Sequence, residues 1–291
     1  MSDRISAFER NGHDRMYDIR KTLFVSDLDG TLLAPDGKLS AYTLDTLGHL
    51  VDMGVRMAFA TARSYITAMK VIGDVPGSLP MILHNGAFIQ RRDGSFVLKN
   101  LFCREDAVFL RDVLDRYGIP AIVYTLDGAA EYFSYLPNRI TPEERAFIDS
   151  RGIDPRDRTV TSEEELWGGE VFYIACIGGA ERLSAAASEI SARGGVTVLN
   201  HPDYYTGDMW LELLPEGASK ASAMKELCRL LGCGRTVVFG DAENDLDMFR
   251  AADEKYAVAN AVPEIIGAAD RVIGPNGEDG VARFLRDALG I

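Results

Sequence analysis

The sequence predicts an α/β protein, in which an α+β domain is inserted into a doubly wound, Rossmann-like parallel sheet. In both outer parts of the chain, short apolar runs alternate with segments whose apolar residues have helical spacing, which is typical of a parallel sheet covered by helices. In the middle part, hairpin signals are mixed with helices, which favours an antiparallel sheet. We therefore expect a core from residues 21–86 and 215–291, an inserted domain from residues 87–214, and a flexible or loosely docked extension at residues 1–20.

The first part of the chain contains three strand-like runs and two helix-like segments. The runs Thr22–Ser26, Val55–Ala60 and Pro80–Leu83 are short and mostly apolar, as buried strands are. Between them, Ala41–Met53 and Tyr65–Ile72 have the apolar spacing of amphipathic helices.

The middle part begins with a hairpin signal, because Asp93-Gly94 separates the strand-like runs Phe88–Arg92 and Ser95–Leu98. Thr141 and Glu144 have the spacing of a capping box at the start of a helix. The other elements expected here are strands at Ala121–Thr125, Glu131–Tyr135, Val171–Ile177, Val196–Asn200 and Met209–Leu214, helices at Glu105–Tyr117, Thr141–Ser150 and Ala180–Arg193, and turns at Gly152–Thr161.

The last part returns to the alternation of the first. A surface loop, His201-Pro202-Asp203-Tyr204-Tyr205, precedes it; contact with a leaving group is the alternative interpretation of that loop. The elements expected in the last part are helices at Lys220–Leu231, Asn244–Ala252, Pro263–Ala268 and Val281–Leu289, and strands at Thr236–Phe239, Tyr256–Val258 and Arg271–Ile273.

Acidic clusters follow two of the predicted strands at the point where each strand ends. Asp27-Leu28-Asp29-Gly30-Thr31 follows the first strand, and Gly240-Asp241-Ala242-Glu243-Asn244-Asp245 follows a strand of the last part. Carboxylates at the end of a buried strand are costly to desolvate unless a partner compensates them, and ligands of open α/β sheets bind there. Ordinary turns and helix caps are the alternatives, whereas a calcium loop would need Gly and Glu where the first cluster has Leu32 and Lys38. We favour a divalent-metal site beside a nucleophilic carboxylate.

The segment Asp27–Leu32 resembles the first motif of the haloacid dehalogenase-like phosphatases. The whole chain resembles their Cof-type subgroup, in which a large cap domain is inserted into the core. The resemblance covers most of Lys21–Ala87 and Leu211–Leu289, and within the cap it rests on the order and size of the elements. The stretch from Arg63 to Lys220 is long enough for a cap, whereas the stretch from Asp29 to Thr61 is not.

The resemblance implies a role for each acidic residue. Asp27 would be the nucleophile that forms an aspartyl-phosphate, and Asp29 would protonate the leaving oxygen and then activate water. Both would also contribute to the metal site, Asp29 through its backbone carbonyl. Asp241 would bind Mg²⁺ directly, and Asp245 would bind it directly or through a water, since Mg²⁺ prefers oxygen ligands and retains several waters.

Three more residues would contact the phosphate group in this family: Thr61 through its hydroxyl, Lys220 through its charge and Asn244 through its amide. Helix capping is the ordinary alternative for Thr61 and Asn244, and Ser64 is a rival for the capping role near Thr61. A solvated side chain is the alternative for Lys220, although the first turn of a helix favours anions over a lysine. The family more often has glycine where this sequence has Ala62, Ala221 and Ala242.

The composition limits the classes of partner. The chain has 291 residues with 31 basic and 44 acidic side chains, for a formal charge of −13, which argues against binding to nucleic acid or to an anionic membrane. Its four cysteines form no Cys-x-x-Cys pair, so buried free thiols in a reducing compartment are expected. The first 20 residues lack the apolar core of a signal peptide, and we expect a cytoplasmic protein, monomeric or a small homo-oligomer.

Taken together, these features predict a Mg²⁺-dependent phosphatase of a small phosphorylated metabolite. A sugar phosphate is the favoured substrate class, and a phosphorylated cofactor such as a flavin or pyridoxal nucleotide is the next. The alternatives are a phosphotransferase or mutase that uses the same aspartyl-phosphate, a non-enzymatic metabolite sensor and a phospho-acceptor signalling domain. The inserted domain and the Asp27/Asp29 pair argue against the last of these.

Overall fold

A computed structural model describes residues 17–202 and 206–291. Within these residues the chain forms two compact units, of which unit 1 contains the chain up to Val97 and again from Lys220 to Ile291. Unit 2 is Leu98–Ser219. The predictions for residues 1–16 and for 203–205 of the polar loop lie outside the described residues. No helix of the described residues is both long and apolar enough to cross a membrane.

The expected strands and helices are present among the described residues, with ends that differ from the predictions by a few positions. The strands are β1 (Thr22–Ser26), β2 (Arg56–Ala60), β3 (Met81–Leu83), β4 (Phe88–Gln90), β5 (Phe96–Lys99), β6 (Ile122–Asp127), β7 (Ala130–Tyr135), β8 (Asp157–Thr159), β9 (Glu170–Gly178), β10 (Val196–Pro202), β11 (Met209–Pro215), β12 (Arg235–Gly240), β13 (Glu254–Val258) and β14 (Arg271–Ile273). The helices are α1 (Ala41–Asp52), α2 (Tyr65–Ile72), α3 (Arg104–Arg116), α4 (Pro142–Ser150), α5 (Glu163–Leu166), α6 (Ala180–Arg193), α7 (Lys220–Leu230), α8 (Leu246–Ala251), α9 (Pro263–Ala268) and α10 (Gly280–Leu289).

Unit 1 contains a sheet in the order β14-β13-β12-β1-β2-β3-β4-β5. Neighbouring strands from β14 to β3 run parallel, and β4 pairs antiparallel with β3. The last residue of β1, Ser26, lies beside Phe239 of β12 and Phe59 of β2. Because parallel strands end at the same edge of a sheet, the segments that follow β1, β2 and β12 meet there.

The β4–β5 hairpin lies in the sheet of unit 1. The sequence places it at the start of the inserted domain, with the boundary after residue 86, whereas the structure divides the units within β5, between Val97 and Leu98. The second division follows Ser219 instead of residue 214. Local patterns predict the hairpin but do not indicate which sheet it joins.

Unit 2 contains a second sheet, in the order β10-β11-β9-β6-β7-β8. Its pairs are antiparallel except β7 with β8, so the predicted α+β class of this region is confirmed. Its hydrophobic core joins α3 and α6 to the sheet, with Leu110 and Leu183 packed among Ile174 and Leu213. The structure adds β8 in the segment expected as turns, and the short helix α5 after it.

The start of the described chain is packed against unit 1. Tyr17 is buried, its ring meets Phe24 edge to face, and its hydroxyl bonds the Glu254 carboxylate at 2.7 Å and the Tyr256 hydroxyl at 3.1 Å. The extension expected at residues 1–20 therefore does not include Tyr17, whose aromatic ring is part of the core.

Candidate active site

The turn after β1 brings Asp27 and Asp29 to the edge of the sheet. The Asp27 N–H donates to the carbonyl of Phe239, which continues the ladder between β1 and β12. The following wide turn closes when Leu33 N–H bonds the Leu28 carbonyl at 2.8 Å. At its centre, Gly30 has φ +79°, and a Cβ there would lie 2.8 Å from Cγ of Asp241. Glycine is therefore required both by the left-handed backbone and by the approach of Asp241.

Lys220, the first residue of α7, lies between two carboxylates. Its Nζ is 2.6 Å from Oδ1 of Asp27 and 2.8 Å from Oδ1 of Asp245, and all three side chains are buried. Burial lowers the pKa of Lys220, but the charges of Asp245 and Asp27 outweigh it and raise that pKa above its usual value. The side chain is therefore a buried cation, and the solvated alternative is wrong.

Asp241 lies directly after β12 and next to the turn that holds Asp29. Thr31 Oγ1 donates to Oδ1 of Asp241 at 2.6 Å, and the Asp241 backbone N–H donates to Oδ2 of Asp245 at 3.0 Å. Burial raises the pKa of the Asp241 carboxyl to about 6. The hydrogen bond from Thr31 opposes this rise, and the charge of Asp245 adds to it. One Asp245 oxygen thus accepts from the backbone of the turn between Asp241 and Asp245, while the other accepts from Lys220.

Three carboxylates and one ammonium group share this buried space, so negative charge is in excess. One oxygen from each of Asp27, Asp241 and Asp245 lies within 4.8 Å of the other two. Burial raises the pKa of Asp27; Lys220 opposes this rise, and the charges of Asp245 and Asp241 add to it. A divalent cation would remove this excess, and these oxygen donors are the kind that Mg²⁺ and related hard cations prefer. The donor set therefore fits a divalent metal.

The Asp29 side chain lies apart from this group of three. Arg63 binds both of its oxygens, with Nε 2.7 Å from Oδ2 and Nη2 2.6 Å from Oδ1, and half of the Asp29 side chain is exposed. The sequence predicts no role for Arg63, which is named above only as one end of the stretch that can hold a cap. The available signal was its position two residues after Thr61, at the end of a strand next to β1.

Thr61, Asn85 and Asn244 are linked at the ends of β2 and β3. The buried Thr61 hydroxyl accepts from Arg63 N–H at 3.1 Å, while Ser64 caps α2, which resolves the capping role in favour of Ser64. The Asn85 N–H donates to the Thr61 carbonyl, and Asn85 Oδ1 accepts from Asn244 Nδ2 at 3.4 Å. Asn85 has φ +52°, a conformation that asparagine tolerates better than most residues. Asn85 is not among the site residues predicted from the sequence.

The family model described as haloacid dehalogenase-like hydrolase matches residues 24–285. The chain belongs to this family. The resemblance to Cof-type phosphatases, the α/β fold class and the assignment as a phosphatase enzyme are thereby confirmed.

Curated relatives of this haloacid dehalogenase-like hydrolase match along nearly their whole length. Two from Bacillus subtilis are 5-amino-6-(5-phospho-D-ribitylamino)uracil phosphatases: YitU is 28% identical over 91% of this chain and 96% of its own length. YwtE is 27% identical over 90% of this chain and 96% of its own length.

Solved structures show the same fold. BT1666 from Bacteroides thetaiotaomicron, a phosphatase of this superfamily, has a TM-score of 0.77 at 24% identity, covering 97% of this chain and all of its own. A haloacid dehalogenase-like hydrolase from B. subtilis has a TM-score of 0.75 at 22% identity, covering 91% of this chain and 98% of its own.

Proposed function

We propose that this phosphatase is Mg²⁺-dependent and hydrolyses a small phosphorylated metabolite through an aspartyl-phosphate on Asp27. The observation that carries the proposal is the position of Lys220, whose ammonium group lies 2.6 Å from an oxygen of Asp27 in a buried space. A cation held there would stabilise both the attacking carboxylate and the negative charge of the transferring phosphoryl group.

The first step is attack by an Asp27 oxygen on phosphorus, as the bond from phosphorus to the leaving oxygen breaks. Asp29 donates a proton to that oxygen and, in the second step, takes one from the water that hydrolyses the aspartyl-phosphate. Both Asp29 oxygens bond Arg63 in the structure. At least one of them must be released before Asp29 can reach the leaving oxygen.

The phosphate-binding role proposed for Lys220 extends to Thr61 and Asn244. Thr61 Oγ1 and the Asn244 amide are positioned by backbone and side-chain bonds to Arg63 and Asn85. In this proposal they bind phosphoryl oxygens and hold phosphorus in line with Asp27.

Asp27, Asp241 and Asp245 would hold the metal, together with the backbone carbonyl of Asp29. A bound Mg²⁺ would supply positive charge that stabilises the phosphoryl oxygens in the transition state. Two hydrogen bonds would orient these ligands. The Thr31 hydroxyl donates to the Asp241 carboxylate, and the Asp241 backbone N–H donates to the Asp245 carboxylate.

For the substrate, we propose a phosphorylated sugar or sugar alcohol, with phosphorylated cofactors as the second class. Two relatives are named 5-amino-6-(5-phospho-D-ribitylamino)uracil phosphatases, and the ribityl group in that name is a sugar-alcohol chain that carries the phosphate. The proposal includes a cytoplasmic location and a monomer or small homo-oligomer.

The test is hydrolysis of p-nitrophenyl phosphate by the full chain, followed by a panel of phosphorylated metabolites, with Mg²⁺ or with chelator. We expect turnover only with a divalent metal, and none from Asp27→Asn. Asp36→Asn is the matched control, because Asp36 is an exposed turn residue that bonds only its own loop in the described contacts. Full activity of Asp27→Asn would remove Asp27 as nucleophile, and transfer of the phosphoryl group to an added sugar would favour the transferase alternative.

A further inference from the structure

The connection between α7 and β12 ends the helix in a specific way. Cys233 N–H bonds the Cys228 carbonyl at 2.9 Å, Gly232 N–H bonds the Arg229 carbonyl at 3.1 Å, and Gly232 has φ +63°. These are the two backbone bonds and the left-handed residue of a Schellman motif. The motif brings the side chains of its first and sixth residues together, and here both are cysteines.

The two thiols are neighbours and both are partly accessible. Burial raises the pKa of the Cys228 thiol, and the neighbouring Cys233 thiol raises it further. Both cysteines are free and of intermediate exposure, in contrast to the buried Cys176 and the exposed Cys103 of unit 2. The expectation of buried thiols thus holds for Cys176 alone.

Arg56 distinguishes the two sulfurs. Its Nη1 lies 3.8 Å from Sγ of Cys233, so a fixed positive charge stands beside that sulfur. Cationic neighbours and partial exposure are the surroundings in which cysteines react with oxidants. We therefore expect Cys233 to react first with an oxidant. Cys228 would then attack the oxidised Cys233 sulfur to form a disulfide.

We propose that Cys228 and Cys233 form a reversible disulfide, a modification site for peroxides in the turn between α7 and β12. The Cys233 sulfur attacks a peroxide oxygen, the O–O bond breaks, and a sulfenic acid and one water form. The Cys228 sulfur then attacks Cys233, the S–O bond breaks, and a second water leaves with the thiol proton. Two thiols and one hydrogen peroxide give one disulfide and two waters, and a dithiol reverses the bond by exchange.

The disulfide links two elements that carry proposed site residues at their other ends. Helix α7 begins at Lys220, and β12 leads into Asp241. Because a backbone hydrogen bond already joins Cys233 to Cys228, we expect the disulfide to form without moving Lys220 or Asp241. We therefore expect phosphatase activity to be retained after oxidation, while the helix end is held in place.

The test is peptide mapping of the native full chain after hydrogen peroxide treatment and alkylation of the remaining thiols, without reductant. Trypsin cleaves after Lys225, Arg229 and Arg235, so the two cysteines fall on separate peptides, residues 226–229 and 230–235. We expect these peptides to be joined, and to separate after dithiothreitol. Cys103→Ser should leave the joined pair unchanged, whereas Cys228→Ser and Cys233→Ser should each lose it.

Two results would overturn the proposal. The first is alkylated Cys228 and Cys233 in the peroxide-treated wild type; the second is oxidation of Cys233 to the sulfinic acid without the joined peptides. The wild-type map decides even where a serine variant fails to fold. Neither result depends on phosphatase activity, so a failure of the disulfide proposal can be distinguished from a failure of the proposed function.

Discussion

Arg63 holds both carboxylate oxygens of Asp29, at 2.6 and 2.7 Å. The planar guanidinium matches a carboxylate at two points, which fixes its orientation as well as its distance. Half of the Asp29 side chain is exposed, so this ion pair contributes little to stability. Its consequence is geometric: it determines where the proposed acid–base group rests before a phosphate ester arrives.

Replacing Arg63 should therefore lower kcat more than it raises KM. We expect Arg63→Ala to lose about 100-fold in kcat on an alkyl phosphate, because a misplaced catalytic group costs on that order. The loss should be smaller on p-nitrophenyl phosphate, whose leaving group needs little protonation. Arg63→Lys keeps the positive charge but lacks the planar guanidinium that bonds both Asp29 oxygens. Its kcat should therefore lie between those of the wild type and Arg63→Ala. Steady-state kinetics with both substrates measure the changes in kcat and in KM separately.

The control is Arg250→Ala, since Arg250 is mostly exposed and pairs with Asp247 on the same helix. Its kinetics should equal those of the wild type. An equal loss on both substrates in Arg63→Ala would contradict a role through Asp29.

Gly30 and Gly37 offer a matched pair for the site geometry. Both have positive φ, +79° and +74°, but a Cβ on Gly30 would meet the Asp241 carboxylate, whereas one on Gly37 would meet nothing within 4 Å. Each alanine should cost roughly 1–2 kcal/mol of unfolding free energy through the left-handed backbone. Only Gly30→Ala should also displace Asp241, weaken Mg²⁺ binding and abolish most of the activity. Denaturant unfolding and calorimetric titration separate the two effects; similar metal affinities would contradict the contact with Asp241.

The sequence predicts the meeting of the acidic clusters because parallel strands of one sheet end at the same edge. Asp27 and Asp241 each follow an apolar strand, and parallel strands end at one edge, so their approach needs no knowledge of side-chain detail. The Arg63–Asp29 pair could not be foreseen in the same way. It depends on the turn after β1, in which the Asp29 side chain meets Arg63 instead of joining the three-carboxylate group.

Other differences have similar causes. The Asp93-Gly94 turn predicts a hairpin but not that β4 pairs with β3, because that pairing is set by tertiary packing. Asparagine adopts a left-handed backbone more readily than most residues, as Asn85 does here. Its bond to Asn244 could not be predicted from local sequence, because the two residues lie far apart in the chain.

The raised pKa of Asp241 predicts a pH dependence of stability in the metal-free protein. The folded-state pKa is about 6 and the ordinary value is 3.8. Between these values the folded state binds more protons than the unfolded state, so this residue's contribution falls as pH rises. At about 1.4 kcal/mol per pKa unit, the loss of unfolding free energy reaches about 3 kcal/mol above pH 6.

Asp241→Asn removes this penalty. In chelator, its unfolding free energy relative to the wild type should increase between about pH 4 and about pH 7, by up to about 3 kcal/mol. Denaturant unfolding across that range measures the difference. Added Mg²⁺ should stabilise the wild type and not the variant, because the ligand binds only the folded wild-type site. A difference that stays constant with pH would show that Asp241 does not titrate as described.

Lys220 should matter for stability as much as for chemistry. Lys220→Met keeps most of the volume but leaves the buried Asp27 and Asp245 carboxylates without their cation. Removing one partner of a buried ion pair costs roughly 3–5 kcal/mol, and we expect a loss of that order in metal-free denaturant unfolding. Lys225→Met is the matched control, because Lys225 is exposed on the same helix.

The double variant Lys220→Met with Asp27→Asn tests the cause. If the loss comes from unpaired negative charge, removing one of the two carboxylate charges should restore part of the stability, which gives a coupling energy in a double-mutant cycle. If it came only from packing around the lysine stem, the two changes would add. Additive losses would therefore contradict a buried Lys220–Asp27 ion pair, and with it the electrostatic basis proposed for the nucleophile.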